Sequence, residues 1–310
     1  MAAAILGAAY QRLSEIADLK RYGPPGQLID IGGRRLHLLC AGSAPGPTVV
    51  IEAGSGDDST MWEDMVRRVS AFAHVCTYDR AGLGWSDAVS GSRTIDDRAA
   101  DLKALLNAAD VPGPFVLVGH SYGGYILRRF AADFPADVAG VVLIDASEEA
   151  LAYTAEGLRE IEDTGWREWR LGWLVRLGVL RLAVQLFSDS FDPVKGVPAD
   201  VHGLMTALYL RASRHFATAD EMASYEKVPM AWRTPHGFGT LGHTPLAVVS
   251  RGSDTLPEWD EAQLRLTSLS SVSTRIVAES SGHYVQFSQP WLIVSAIRRV
   301  LGEYAEAARH

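Results

Sequence analysis

Ser121 stands where a hydroxyl can be made to react. It is centred in Gly119-His120-Ser121-Tyr122-Gly123-Gly124, after the apolar run Pro114-Phe115-Val116-Leu117-Val118 and directly before Tyr125-Ile126-Leu127. That order reads as strand, sharp turn, helix. Such a turn strains the backbone of its central residue, and strand and helix approach so closely that only small side chains fit at Gly119 and Gly123. The serine is thereby pushed out over the end of a sheet. A loose match to this pentapeptide is common in proteins, so the strand before it and the helix after it carry the argument.

The rest of the composition bounds the chemistry. With 310 residues, 47% of them hydrophobic and 21% charged, the chain can bury a sizeable core in one large α/β domain or two smaller ones. A net charge of -8 argues against a nucleic-acid partner, because phosphate binding needs a clustered excess of Lys and Arg. Cys40 and Cys76 each lie in an apolar strand-like run and are expected as buried free thiols, with a disulfide the alternative if those strands are neighbours. No metal-ligand spacing, dinucleotide fingerprint or phosphate loop occurs, so neither metal nor cofactor is expected.

Ser121 must be positioned by the elements around it, which the chain supplies in order. Residues 1–23 form an amphipathic helix with Ile5, Leu6, Ala9, Leu13, Ile16 and Ala17 at helical spacing, expected to pack on the domain. Its apolar part is too short to span a bilayer and no basic segment precedes it, so a cytoplasmic location is expected. Peripheral membrane attachment through this helix is the alternative. Gln27 to Ile31 and Arg35 to Cys40 read as a hairpin, Thr48 to Glu52 and His74 to Tyr78 as the third and fourth strands, the run before Ser121 as the fifth, and Ala139 to Ile144 as the sixth. Helices from about Thr60 and about Thr94 alternate with them, which means a mostly parallel sheet. From Ser147 to Thr244 the alternation stops and the sequence turns helical and rich in Trp and Leu; an insertion this long reads as a helical cap. Strands return at Pro245 to Ser250 and Thr274 to Ala278, and a helix from about Pro290 closes the chain.

Four stretches in this order resemble the α/β-hydrolase fold enzymes, carboxylesterases in particular: the Ser121 elbow, Asp79 to Asp87, Gly252-Ser253-Asp254, and Gly282-His283. The resemblance covers nearly everything from Leu28 onward. It implies an eight-stranded, mostly parallel sheet flanked by helices, built from residues 24–146 and 245–310, with residues 147–244 as the inserted cap. It also implies a catalytic triad in the order nucleophile, acid, histidine, each just past the C-terminal end of a strand. His283 is then the base. His37, His74 and His120 are assigned structural roles, while His202, His215, His236 and His243 belong to or border the cap, where one could touch substrate. Two carboxylates end strands: Asp254, where most of the family keeps its acid and the one favoured, and Asp145, the alternative. The oxyanion donors implied are the backbone N–H groups of Tyr122 and, by alignment, Ser55. Here the sequence departs from the family's usual His-Gly pair, reading Ala53-Gly54 after Glu52, and Glu52 is expected to be a buried, partnered carboxylate that holds this loop. Asp79 and Arg80 are expected to pair with each other.

The resemblance thus implies a hydrolase of carboxylic esters acting through an acyl-serine, on a small molecule with an apolar alkyl or aryl group. Amide, lactone or C–C bond hydrolysis and a catalytically silent binding protein are the alternatives. Serine at the elbow argues against epoxide hydrolases and haloalkane dehalogenases, which form an ester on a carboxylate. Trp166, Trp169, Trp173 and Trp232 are expected to line the substrate pocket. Arg170, Arg176, Arg181, Arg211 and Arg214 offer a receptor for a carboxylate, as in a monoalkyl phthalate. The sequence leaves the oligomeric state open.

Overall fold

A computed structural model describes residues 2–187, 192–195, 199–233 and 237–309. Its sheet has eight strands: β1 (Gln27–Asp30), β2 (Arg35–Ala41), β3 (Thr48–Glu52), β4 (Val75–Tyr78), β5 (Phe115–His120), β6 (Val138–Ile144), β7 (Leu246–Arg251) and β8 (Ser273–Ala278). Their spatial order is β1-β2-β4-β3-β5-β6-β7-β8. The β1–β2 and β2–β4 pairs are antiparallel and all others parallel.

The central strands are apolar throughout because both faces are covered. In β5, Phe115 and Leu117 join one core with α3 (Ile95–Ala108) and α4 (Gly123–Asp133), while Val116 and Val118 join the other with α2 (Glu63–Val69) and α12 (Pro290–Ala307). The two faces alternate residue by residue, as strand geometry requires.

The β2–β4 register sets Cys40 opposite Cys76, and the two form a disulfide with an S–S length of 2.07 Å. The free-thiol expectation is thus corrected. The reason is topological: β4 lies between β2 and β3, so two strands apart in sequence are neighbours in space.

Between β6 and β7 the described regular elements are helical: α5 (Glu149–Ala152), α6 (Ala155–Arg176), α7 (Val179–Leu186), α8 (Ala199–Tyr209) and α9 (Ala212–Ser224), then single 3₁₀ turns at Tyr225–Lys227 and Met230–Trp232. The expected helix before β1 is α1 (Ala2–Arg21), and α10 (Pro257–Thr267) and α11 (Val285–Ser288) precede α12. His236 lies outside the described residues.

Candidate active site

Ser121 follows β5 with a φ of +50°, and α4 starts two residues later. Two glycines make the turn possible. A Cβ on Gly119 would lie 3.0 Å from Leu127 Cδ1 and 3.1 Å from the Gly124 nitrogen, and one on Gly123 would lie 2.7 Å from both the Glu52 and Ala53 carbonyl oxygens. Strand, helix and the loop after β3 therefore meet at backbone distance. Tyr122 sits at the N-terminus of α4, where the first amides have no partner within the helix and the dipole favours negative charge.

The loop after β3 is built around Arg80. This guanidinium reaches Glu52 Oε1 at 2.5 Å and Glu221 Oε1 at 2.6 Å, and donates to the Ala53 and Gly54 carbonyls at 2.8 and 2.6 Å. Glu221, on α9, also accepts from Ser55 Oγ at 2.8 Å and from the Gly56 amide at 2.9 Å. Burial alone would push the Glu221 carboxyl up, but Arg80 and Arg98 hold it below the usual range. Glu52 is fully buried, bonded to Arg80 and Tyr78, which is the partnered role expected for it. The expected Asp79–Arg80 pair is replaced: Asp79 accepts from His37 at 2.9 Å and from the Ser59 and Trp85 amides.

His283 lies in the loop between β8 and α11, and its Nδ1 is 2.6 Å from Asp145 Oδ2. The preference for Asp254 is therefore corrected in favour of the alternative. Asp145 directly follows β6 with a φ of +41° and is fully buried, its Oδ1 accepting from Trp259 Nε1 at 2.7 Å and the Arg251 amide at 3.1 Å. Asp254 has a similar backbone, φ +53°, but is exposed in the turn after β7. The His283 loop has a further contact that spacing does not reveal. His120 Nε2–H donates to the His283 carbonyl at 3.0 Å, and the two rings lie 4.6 Å apart. Burial and the neighbouring His283 keep His120 neutral, its pKa pulled down to about 3.

Asp57 completes the surroundings. Its Oδ2 is 3.9 Å from His120 Nδ1, and burial, with a smaller push from Asp58, raises its pKa to about 6 against the pull of Arg214. Asp57, Glu221 and Trp259 were missed in the sequence, and of these only Asp57 carried a signal, standing in the Gly-rich loop after β3; His120 was given the structural role it has here.

The tryptophans are not where they were expected. Trp166, Trp169 and Trp173 stand in an edge-to-face row on the outer side of α6, about half exposed, ending on Phe216. Trp232 packs on Phe238 beneath the Arg129 guanidinium. The aromatic groups beside His283 are instead Trp259 and Tyr284, with Phe287 stacked on Tyr284. A cavity of about 820 Å³ opens between α1, the loop after β4 and α9, but neither Ser121 nor His283 lines it. Arg80 forms part of its wall and connects it to the loop at Ser55.

Among known proteins, the alpha/beta hydrolase family matches residues 49–296. The YqjL protein of Bacillus subtilis (strain 168) is 28% identical over 272 residues, spanning 86% of this chain and 88% of that one. Of solved structures, a putative lipase (lip1) of Acinetobacter baumannii AYE superposes with a TM-score of 0.70 at 16% identity, covering 96% of this chain and 97% of that one. A thermophilic esterase from Thermogutta terrifontis gives 0.64 at 22% identity, covering 87% and 94%. The chain belongs to the alpha/beta hydrolase family, and its sheet is that fold.

Proposed function

We propose that this chain is a serine hydrolase that cleaves carboxylic esters with an apolar alkyl or aryl group. The observation that supports this most is the 2.6 Å contact of His283 Nδ1 with buried Asp145, the His283 carbonyl in turn accepting from His120, the residue before Ser121. His283 takes the Ser121 proton as the hydroxyl oxygen attacks the ester carbonyl, and returns it to the departing alcohol. Asp145 holds the imidazole in one tautomer and stabilises its charged form. The developing oxyanion is met by the N–H of Tyr122 and that of Ser55, the neighbouring Gly56 amide being already given to Glu221. A water molecule, deprotonated by the same histidine, then releases the acid. No cofactor takes part in this sequence.

Residues 147–244 act as the cap in this reading, with α9 closing on the loop at Ser55 through Glu221 and on Tyr122 through Ser224. The substrate subclass we favour is a monoester bearing a second carboxylate. Of the five arginines considered, Arg214, half-buried on α9 with its guanidinium 5.0 Å from the Tyr209 ring and 3.9 Å from Glu168, is the one whose charge opposes the upward push of burial on Asp57. Arg181 and Arg211 are taken by Asp18 and Glu15. The test is hydrolysis of neutral p-nitrophenyl esters and of monoalkyl phthalates by the parent, Ser121→Ala and Arg214→Gln. Ser121→Ala abolishes both activities. Arg214→Gln raises KM for the phthalate monoesters by about tenfold and leaves the neutral esters unchanged. Equal effects of Arg214→Gln on both ester classes contradict the carboxylate reading, and an inactive parent contradicts the hydrolase reading.

A further inference from the structure

The helix before the sheet is docked inside out. In α1 polar side chains make the contacts to the protein, with Ala8 and Leu19 beside them: Gln11 donates to the Leu210 carbonyl at 2.7 Å and accepts from Arg181 at 2.8 Å, Asp18 pairs with Arg181 at 2.6 Å, and Glu15 pairs with Arg211 at 3.5 Å. Gly7 and Gly178 let α1 and the corner between α6 and α7 meet at backbone contact, where a Cβ on Gly7 would fall 2.2 Å from the Leu177 carbonyl oxygen. The opposite face carries Ile5, Leu6, Ala9, Leu13, Ile16 and Ala17, all exposed, with Leu6 at 70% and Leu13 at 69%. Burying four such aliphatic side chains is worth several kcal/mol, and the polar contacts hold the helix so that none of this burial is realised within the chain.

The neighbouring helix surfaces repeat the pattern. α7 buries Leu180 and Arg181 and exposes Val179, Leu182 and Leu186, with Phe187 following, and α6 exposes Leu174 beside the tryptophan row. The charges distinguish the occupant. Both acids of α1, Glu15 and Asp18, are turned inward and paired, leaving Lys20 and Arg21 exposed, with Arg12 exposed where it lines the cavity. From Trp166 to Phe187 the one acidic residue is Glu168, which is buried against His215, while Arg167, Arg170 and Arg176 are exposed. In a chain of net charge -8 this surface is apolar, aromatic and cationic.

We propose that α1, with α7 and the C-terminal half of α6, docks on an anionic lipid surface. Amphipathic helices with aliphatic and tryptophan side chains on one face and cations at the margin lie in the headgroup region, where the cations meet acidic lipids. A second copy fits the charge pattern badly, because a symmetric contact of this face would bring the same cations together. No described helix is long and apolar enough to cross a membrane, so the attachment is peripheral.

The test is sedimentation of the whole protein with vesicles of phosphatidylcholine alone and of phosphatidylcholine mixed with phosphatidylglycerol. The protein partitions onto the mixed vesicles, less onto the neutral ones, and is released by salt. Leu6→Ser with Leu13→Ser lowers the partition coefficient at least about tenfold, and Arg12→Glu with Lys20→Glu removes the preference for phosphatidylglycerol. Circular dichroism checks that each variant is folded. Quenching of tryptophan fluorescence by brominated lipid tests the same contact in the unaltered chain. Absence of partitioning or quenching with either vesicle, or partitioning that Leu6→Ser with Leu13→Ser leaves intact, overturns the proposal. So does a dimer in ultracentrifugation that those substitutions dissociate, which would give the face to a second copy.

Discussion

Asp57→Asn should make the protein more stable at neutral pH, and by an amount that vanishes in acid. The carboxyl is buried beside His120 and Asp58, and its pKa rises from 3.8 in the unfolded chain to about 6 in the fold. Between those values the folded state binds more protons than the unfolded state, so stability falls as pH rises. At 1.36 kcal/mol per pKa unit, keeping this group ionised costs on the order of 3 kcal/mol above pH 7 and nothing below about pH 4. Asparagine has the same shape and no charge to bury. The gain of the variant over the parent should therefore grow by about 3 kcal/mol between pH 4 and pH 8, an increase of about 5 °C in the Tm difference for a chain of this length. Asp79→Asn supplies the opposite sign. Burial would raise the Asp79 carboxyl, but His37 and the Trp85 and Ser59 amides bring it below 3.8. That variant should lose stability at neutral pH, and its deficit should shrink as pH falls through the acidic range. Scanning calorimetry of Asp57→Asn from pH 4 to pH 8, and of Asp79→Asn from pH 7 to below pH 4, reads the two slopes. A Tm difference for Asp57→Asn that is flat with pH, or that falls as pH rises, would refute the placement of an unpaired, buried carboxylate next to His120.

The geometry predicts three further outcomes. Asp145→Asn should lower kcat for p-nitrophenyl esters by a factor on the order of thousands, and Asp254→Asn by less than about threefold; steady-state kinetics giving the larger loss at Asp254 would reverse the assignment. Alanine at Trp166, Trp169 or Trp173 should leave the preference for acyl chain length unchanged, because these rings are about half exposed and pack on one another and on Phe216. Tyr284→Ala or Phe287→Ala should instead raise KM for aromatic esters up to about tenfold, which an ester series would reveal. Replacing both Cys40 and Cys76 by alanine removes a crosslink across 36 residues; chain entropy sets the loss near 4 kcal/mol, or about 6 °C in Tm, and a shift below about 1 °C would contradict the bond.

The strands were legible because a run such as Thr48 to Glu52 is wholly buried, and such runs stand out when both faces of a sheet are covered. The elbow was legible for a related reason: glycines at 119 and 123 are forced by backbone contacts that the local sequence already implies. Choices set by distant partners were not legible. Asp145 and Asp254 both follow adjacent strands with positive φ, and what separates them is contact with distant partners: Asp145 is buried against His283, Trp259 and the Arg251 amide, whereas Asp254 is exposed. The tryptophan row obeys helical spacing, yet the face α6 buries is that of Glu168, Gly172 and Val175. Periodicity likewise gave α1 as a helix, while its polar docking depends on Arg181, Leu210 and Arg211, far along the chain.

Covalent capture of the nucleophile tests the central claim most directly. The protein is treated with a fluorophosphonate that phosphonylates activated serines, digested, and mapped by mass spectrometry, alongside Ser121→Ala and His283→Ala. The account predicts one adduct, on the peptide carrying Ser121, formed stoichiometrically in the parent, absent from Ser121→Ala, and slowed on the order of a thousandfold in His283→Ala. An adduct on another residue, or parent-like hydrolysis of p-nitrophenyl esters by Ser121→Ala, would contradict it.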